Sequence, residues 1–286
     1  MLQTLKLRPL NVHFLVRPAL RVGLALLAMM AAGFAAGQPA ALATHPALQD
    51  RWHFQLGIYT PNVDTTARLN GAGGLVGTEV SFEEDLGFTE RNDMPAVLAS
   101  VRLGERWKIE AEYLSLRRDN SRALSRTINW GDNAYTVGTT VNSQFSSDIF
   151  RLSAGYSFVR DAQKEFGATL GLHTTDFKMT IAAAGIGGDT GEALAPLPTL
   201  GFYGAYALTP RWLLSGRVDI FSLQYQEYDG SLTNVTAGVD YRLFRSFGLG
   251  AAYRYIDYDL NVTKSKFNGG INYRFSGPML YLVSSF

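Results

Sequence analysis

Apolar and polar residues alternate with a period of two through most of this chain from residue 51 onward, and no helical pattern separates the alternating stretches. Between Phe150 and Phe158, for example, every second residue is apolar and the residues between are Arg, Ser or Gly. Such alternation is typical of a β-strand with two unlike faces. Because strands follow one another without helices, the pattern excludes an α/β fold and predicts an all-β protein.

The lengths of the connections separate a barrel from a soluble sandwich, which also alternates. Very short connections lie at 104–106, 160–164, 209–211 and 244–246. They alternate along the chain with a second set of connections, of which those at 61–92, 119–143 and 181–196 are long and those near 227–230 and 259–264 are less long. This asymmetry is typical of a membrane-spanning barrel with tight periplasmic turns and longer external loops. The sequence therefore predicts a closed antiparallel transmembrane β-barrel.

The best strand count is ten, with eight or twelve as alternatives, since the number is even when both termini are periplasmic. The predicted strands lie near 51–60, 93–103, 106–118, 144–159, 165–180, 197–209, 211–226, 231–243, 246–258 and 265–286. Residues 76–88 fit a strand, a short helix or an ordered loop. Pro278 lacks a ladder donor, and the apolar face changes from Ile271, Tyr273 and Phe275 to Leu280 and Leu282. Both observations predict a bulge or a turn at 276–278.

The N-terminus has the pattern of a secretory signal peptide. Basic residues precede an apolar run from Val22 to Ala36, and Ala41-Leu42-Ala43 supplies a small-x-small cleavage site. A membrane-spanning helix is the alternative, but the run stops short of the roughly 20 apolar residues that a span needs. We therefore predict a signal peptide at 1–43, a short periplasmic leader at 44–50 and the barrel at 51–286.

Charge and cysteine content limit the remaining classes of function. Without residues 1–43, which carry four basic residues and no acidic one, 22 basic and 25 acidic residues remain, a net charge of −3. A mildly acidic chain argues against a nucleic-acid partner. The chain has no cysteine, so disulfides, thiolate metal sites and a lipoprotein anchor are excluded. We expect no cofactor and no bound metal.

The chain ends in YLVSSF. This ending resembles the terminal strand of Gram-negative outer-membrane barrels, in which a final aromatic residue, here Phe286, is read by the assembly machinery. Ser284 departs from the aromatic or aliphatic residue that is common at its position. The mature chain resembles small barrels of the OmpA-transmembrane, OmpX and OmpW kind. The resemblance implies an outer-membrane location, but it gives no function, because such barrels serve as adhesins, pores, anchors and enzymes.

The polar faces of the strands must line the lumen if the apolar faces meet lipid. Six basic and four acidic residues lie on them: Lys108, Glu110, Glu112, Arg151, Arg217, Asp219, Asp240, Arg242, Arg254 and Arg274. In a barrel of this size the interior holds side chains or one small ligand. We expect these charges to pair across the lumen and plug it, because a lone buried charge is costly. A narrow pore for small solutes is the alternative.

The acidic segment 82–85 and the histidines of the predicted strands are two further candidates for a functional role. The acidic segment 82–85 fits a solvated face, although it could instead fold inward onto lumen arginines or bind a divalent cation. Only His53 and His173 lie in predicted strands. His173 alternates inward near the outer rim, and Asp176 could orient it in a lipid-modifying enzyme. No pattern supplies a nucleophile, so we expect no enzyme activity and interpret His173 as a lumen residue satisfied by its neighbours.

These observations predict a non-enzymatic outer-membrane barrel with a charge-plugged lumen and a structural or envelope-interaction role. The alternatives are a narrow pore for small solutes and a lipid-modifying enzyme at the outer rim. We expect a monomer surrounded by outer-membrane lipid and lipopolysaccharide, with the barrel assembly machinery as its partner during insertion. The long external loops are the expected contact surface, because loops on a rigid scaffold commonly carry recognition.

Overall fold

The computed structural model describes residues 44–225, 228–264 and 267–286, so the predicted signal peptide at 1–43 lies outside the described residues. The described residues form one short helix and fourteen strands. These are α1 (Pro46–Gln49), β1 (Trp52–Tyr59), β2 (Asn62–Leu69), β3 (Val80–Ser81), β4 (Met94–Leu103), β5 (Trp107–Ala123), β6 (Ile128–Trp130), β7 (Asn133–Tyr135), β8 (Thr140–Arg160), β9 (Lys164–Ala183), β10 (Gly187–Ala207), β11 (Trp212–Tyr225), β12 (Tyr228–Phe244), β13 (Phe247–Lys264) and β14 (Phe267–Ser285).

Ten of these strands close into an antiparallel ring in the order β1, β4, β5, β8, β9, β10, β11, β12, β13, β14, with β14 paired back to β1. The predicted ten-stranded closed barrel is therefore confirmed. Strands β2 and β3 attach outside the ring order, and β6 and β7 form a separate hairpin. The first ring strand, β1, begins and the last, β14, ends on the side of the short turns. We call this side the base of the barrel.

Strands β1 and β2 act as one long strand along β14. The pairs Tyr59 with Met279 and Asn62 with Ser276 share one register, so the pairing passes Thr60 and Pro61 without a shift. The bulge predicted at 276–278 is wrong, since β14 also pairs with β13 without a shift from Phe267 to Ser284. The nitrogen of Pro278 faces the Thr60 side, where the Pro278 carbonyl accepts the Thr60 N–H at 2.9 Å.

Several predicted outer loops are in fact strand. Strands β9 and β10 run on to a three-residue connection at 184–186, so the connection predicted at 181–196 is mostly ladder. The segments predicted as loops near 227–230 and 259–264 also belong largely to β12 and β13. The longest connections among the described residues lie between β2 and β4 and between β5 and β8. Apart from Ile186, residues 182–188 are all Ala or Gly and give little contrast between the two faces, which hid the strand pattern.

The polarity of the strands reverses halfway up the barrel. In β8 the outward side chains from Phe150 to Phe158 are apolar, whereas those from Thr140 to Asp148 are polar. Inward side chains do the opposite: Arg151 and Ser153 lie below, while Phe145 and Ile149 lie above. This reversal explains why the apolar face of β14 appeared to switch sides. Ile271, Tyr273 and Phe275 point inward in the upper part, and Leu280 and Leu282 point outward in the lower part.

The lower outward face forms an apolar belt. On β8 it spans nine residues, about 30 Å of strand, which strand tilt reduces to close to the roughly 25 Å apolar band of outer-membrane barrels. Trp107 and Trp212 stand at its basal edge, each more than two-fifths exposed. We call the part of the barrel within this belt the membrane half and the part beyond it the outer half. Among the described residues, no helix is long and apolar enough to cross a membrane.

Candidate functional site: the filled lumen

An ion-paired network crosses the lumen of the membrane half. Arg151 contacts Glu110 at 2.6 Å and Glu112 at 3.0 Å, and Arg254 contacts Glu112 at 2.7 Å. Arg217 joins the same network through Glu110 at 2.9 Å. These five side chains come from β5, β8, β11 and β13, so the pairs tie opposite walls together. Each is at most 11% exposed.

Asp219 and the amide side chain of Asn234 close the network on the β11–β12 side. Arg217 binds Asp219 at 2.7 Å, and Asn234 donates to Asp219 at 3.1 Å. The oxygen of Asn234 in turn accepts a hydrogen bond from Arg254 Nε at 3.0 Å. Every carboxylate in this group therefore has at least two partners, which is the condition under which buried charges are tolerated.

The remaining predicted lumen charges lie near the base. Lys108 places its ammonium 3.4 Å from the ring centre of Tyr203. The carboxylate of Asp240 accepts a hydrogen bond from the Tyr281 hydroxyl at 2.6 Å. Arg242 donates to the hydroxyl of Ser285 and lies 3.9 Å from Asp50. The structure thus brings nine of the ten predicted residues to the lumen.

Arg274 is the exception, because it lies on the outer surface. It follows Tyr273, which points inward, and its side chain is 39% exposed beside Asp257 at 3.3 Å. Its assignment to the lumen assumed that β14 keeps its apolar face outward along its whole length. The polarity reversal in the outer half places Arg274 on the opposite face.

Sequence reasoning missed a second buried pair near the base. Arg102 forms a two-pronged contact with Glu165, at 2.8 and 2.9 Å, and Glu165 also accepts the Ser157 hydroxyl. Both residues lie close to short turns, where the alternation pattern does not assign side chains to the lumen or to the lipid face. Glu165 precedes the outward Phe166, so the same alternation could have found it.

A cavity of about 180 Å³ lies between the network and the base, lined by Lys108, Glu110 and His53 among others. Helix α1 borders it from below: Leu48 is 1% exposed and packs against Ala207 and Leu213. The Leu48 carbonyl accepts from Arg160 at 2.9 Å. This volume has room for a few water molecules but lies below the roughly 300 Å³ of a typical ligand pocket.

The lumen of the outer half is an apolar core instead. Phe145, Phe177 and Tyr273 pack with ring centres 5.5 to 6.4 Å apart, and Tyr258 and Phe275 extend the cluster. The hairpin of β6 and β7 covers it from the outer end, with Ile128, Trp130 and Tyr135 fully buried. Side chains therefore fill this part of the lumen as they fill the core of a soluble protein.

Residues 80–91, which we call the strap, fill a gap in the wall of this core. On one side the Phe82 N–H donates to the Thr65 carbonyl of β2 at 2.9 Å. On the other side Asn120 and Arg122 of β5 donate to the carbonyls of Leu86 and Glu84. The strap therefore joins two strands that have no ladder between them among the described residues.

Two of the three acidic residues of 82–85, Glu83 and Asp85, are ion-paired, so the interpretation of this segment as a solvated face is wrong for them, whereas Glu84 is exposed. Glu83 contacts the buried Arg118 at 2.5 Å, and Arg118 also lies over the ring of Phe88. Asp85 contacts Arg126 at 2.6 Å. Burial opposes the ionisation of Asp85, but hydrogen bonds from Arg126 and from the Ser81 N–H outweigh it and hold the pKa of this carboxyl below its ordinary value.

His173 lies at the junction between the two kinds of lumen. It is fully buried, and neither ring nitrogen has a hydrogen-bond partner among the described residues. Its neighbours across the ladder are Arg151 and Leu197. His173 was interpreted as satisfied by its neighbours, and the structure does not show such bonds. Asp176 points outward and does not orient it.

Comparisons with known proteins agree with this architecture. The outer membrane protease OmpT from Escherichia coli superposes with a TM-score of 0.55 at 14% identity, over 86% of this chain and 99% of its own. The fold is that of a small Gram-negative outer-membrane β-barrel. With its apolar belt, this fold places the barrel in the outer membrane, its base toward the periplasm.

Weaker similarities are to two further solved structures. The translocator domain of the autotransporter NalP from Neisseria meningitidis is 10% identical over 82% of this chain and 89% of its own, with a TM-score of 0.43. Neisserial surface protein A is 14% identical over 82% and 97%, with a TM-score of 0.32. No family model and no curated protein matches the chain.

Proposed function

We propose that this barrel is a non-conducting, non-enzymatic scaffold that carries its outer half and external loops above the outer membrane, in a structural or surface-interaction role. The observation that supports the proposal is the filling of the lumen at two levels. The ion-paired network closes the membrane half, and the aromatic core closes the outer half. A barrel filled in this way is rigid, which suits loops that serve as a contact surface.

Conductance tests the proposal directly. Purified barrel in planar bilayers is expected to give no stable current steps, with insertion checked by the faster gel migration of the unboiled protein. Reproducible steps of constant size would contradict it and favour the narrow pore. Variant Tyr273→Ala, which removes a ring from the centre of the aromatic core, is the comparison. Current steps from this variant, but not from the natural protein, would show that the aromatic core is what excludes water and ions.

Enzyme activity is the third candidate, and the neighbours include a protease as well as barrels of other kinds. Of the three histidines among the described residues, His45, His53 and His173, the last lies nearest the outer half. Its full burial leaves no path for a substrate to its ring, which argues against the rim enzyme. We expect no cleavage of lipid or peptide by the purified barrel. An activity that His173→Ala abolishes, with the folded band retained, would contradict this expectation.

We further propose that the barrel is a monomer whose surroundings are outer-membrane lipid and lipopolysaccharide. Phe286 is proposed as the residue read by the barrel assembly machinery. It points outward, is 62% exposed and stacks on Phe54 at 5.9 Å between ring centres. Its backbone exchanges two hydrogen bonds with Trp52, so it also closes the ring between β14 and β1.

A further inference from the structure

The ladder of the ring opens at two places in the outer half. The first lies beside β5, whose pairing with β4 ends at Leu114, and the strap bridges it. The second lies between β10 and β11, whose pairing ends at Leu200 and Ile220 although both strands continue. Among the described residues, no backbone hydrogen bond joins 187–199 to 221–225. We call this second opening the β10–β11 gap.

Two prolines border the gap. Pro196 and Pro198 stand at alternate positions of β10, so their nitrogens face the same side of the strand. The ladder to β9 runs past both without a break, so their nitrogens face the gap. Proline is tolerated at such an edge because it has no N–H to leave unpaired. The β10 edge therefore presents fewer unsatisfied donors to an apolar occupant.

The outer face beside the gap is apolar at a height where the neighbouring strand is already polar. Leu194 and Pro196 point outward, and Leu194 is 57% exposed. Their direct partners on β9 are Asp176 and Thr174, which also point outward. The apolar belt thus continues upward along β10, toward the gap and beyond the level at which it ends on β9.

The inner wall of the gap is apolar as well. Leu197 of β10 is 5% exposed, and Phe221 of β11 is partly buried against the aromatic core. Leu232 of β12, the partner of Phe221 in the ladder, is fully buried behind it. The side chains named on this path, Leu194 and Pro196 on the outer face and Leu197, Phe221 and Leu232 on the inner face, are all apolar.

We propose that the β10–β11 gap is a lateral binding site for an acyl chain of an outer-leaflet lipid. Continuity with the apolar belt favours lipid over a peptide strand, since a peptide would need backbone donors that the two prolines cannot supply. The chain would lie against Pro196 and Pro198 and reach Phe221.

Photocrosslinking tests the site. The barrel carrying Phe221→p-benzoylphenylalanine is placed in vesicles of phosphatidylethanolamine and phosphatidylglycerol whose acyl chains end in an alkyne. Phe177→p-benzoylphenylalanine is the matched control, because Phe177 also points into the apolar core but lies in an unbroken ladder. We expect at least tenfold more lipid adduct at position 221. No adduct at 221, or equal adduct at both positions, would overturn the proposal.

Two positions whose side chains point outward supply a second test, in case the variant at position 221 or 177 does not fold. Pro196 and Thr174 are partners at one height on neighbouring strands, and both point outward. With the same crosslinker, we expect lipid adducts at 196 and few at 174. Equal labelling would show that lipid reaches this height around the whole barrel, and labelling at neither would show that it stops lower. Either result overturns the site.

Discussion

At the scale of single residues, burial decides how much an ion pair affects the stability of the fold. Glu112 serves two arginines that are at most 3% exposed, whereas Asp148 pairs with Arg117 on the outer surface, where the two side chains are 30% and 58% exposed. The separations are similar, but water screens only the second pair. Pairs of the first kind are costly to break, because a partner is left charged and buried. Pairs of the second kind, exposed on the surface, contribute little to the stability of the fold.

Variant Glu112→Gln is therefore expected to lower the free energy of unfolding by about 3 kcal/mol, because Arg254 loses its carboxylate partner in a buried site. Asp148→Asn is the matched control, with an expected change below about 1 kcal/mol. Urea unfolding of the barrel in lipid vesicles, followed by tryptophan fluorescence, measures both. Equal losses would show that the lumen network is as well solvated as the surface pair.

Phe286 gives a second prediction at this scale. Variant Phe286→Ala should reduce the amount of folded barrel in outer-membrane fractions severalfold, while the purified variant still folds in detergent. Phe158→Ala is the control, since Phe158 is also an outward phenylalanine near the base and is 50% exposed. The ratio of folded to unfolded bands on gels without boiling gives the result. Equal reductions would mean that lost lipid contact, and not recognition, explains the effect.

At the scale of elements, both ends of the barrel depend on pieces that do not belong to the ring. The strap supplies the contacts that β2 and β5 do not make with each other, and α1 borders the cavity at the base. Both pieces are held by side-chain bonds as much as by backbone ladders. Such elements open more readily than a continuous sheet.

The strap should respond to acid through Asp85. Because the folded structure lowers the pKa of this carboxyl below its ordinary value of 3.8, its ionisation stabilises the strap above that value, and the contribution is lost as the pH falls through the folded pKa. Hydrogen exchange of residues 80–91, corrected for intrinsic rates, should quicken between about pH 5 and pH 3. In Asp85→Asn the exchange should be faster at pH 5 and change less. A strap with no pH dependence in either protein would contradict this account.

At the scale of the whole molecule, the barrel consists of two stacked halves with opposite polarity. Lipid surrounds the membrane half, so apolar side chains point outward and charges point inward. Water surrounds the outer half, apart from the strip along β10 where the apolar belt continues upward, so the arrangement reverses, as in a soluble protein. The strands pass through both environments without a break in register, and the two faces exchange roles near His173.

Labelling in intact cells can locate the boundary between the halves, because the natural chain has no cysteine. Asp176→Cys and Leu170→Cys both place a thiol on the outward face of β9, above and within the belt. A membrane-impermeant maleimide should modify the first and leave the second largely unmodified. Modification of both would mean that the apolar belt lies lower than the side-chain pattern indicates.

The period-two alternation of the chain was enough to predict an all-β barrel, its ten-strand ring and most of the lumen charges. Local patterns carry this information because a strand between lipid and lumen shows unlike faces wherever it lies. The side on which each face lies in the outer half was decided by tertiary structure, and Arg274 and the bulge expected near Pro278 were misplaced for that reason. Alternation has the same period whether the apolar face is turned to lipid or to a core, so only the closed barrel shows where water replaces lipid. The strap and the buried pair of Arg102 with Glu165 join residues far apart in the chain, and the β10–β11 gap is a place where neighbouring strands fail to pair. No local sequence pattern reports either kind of feature.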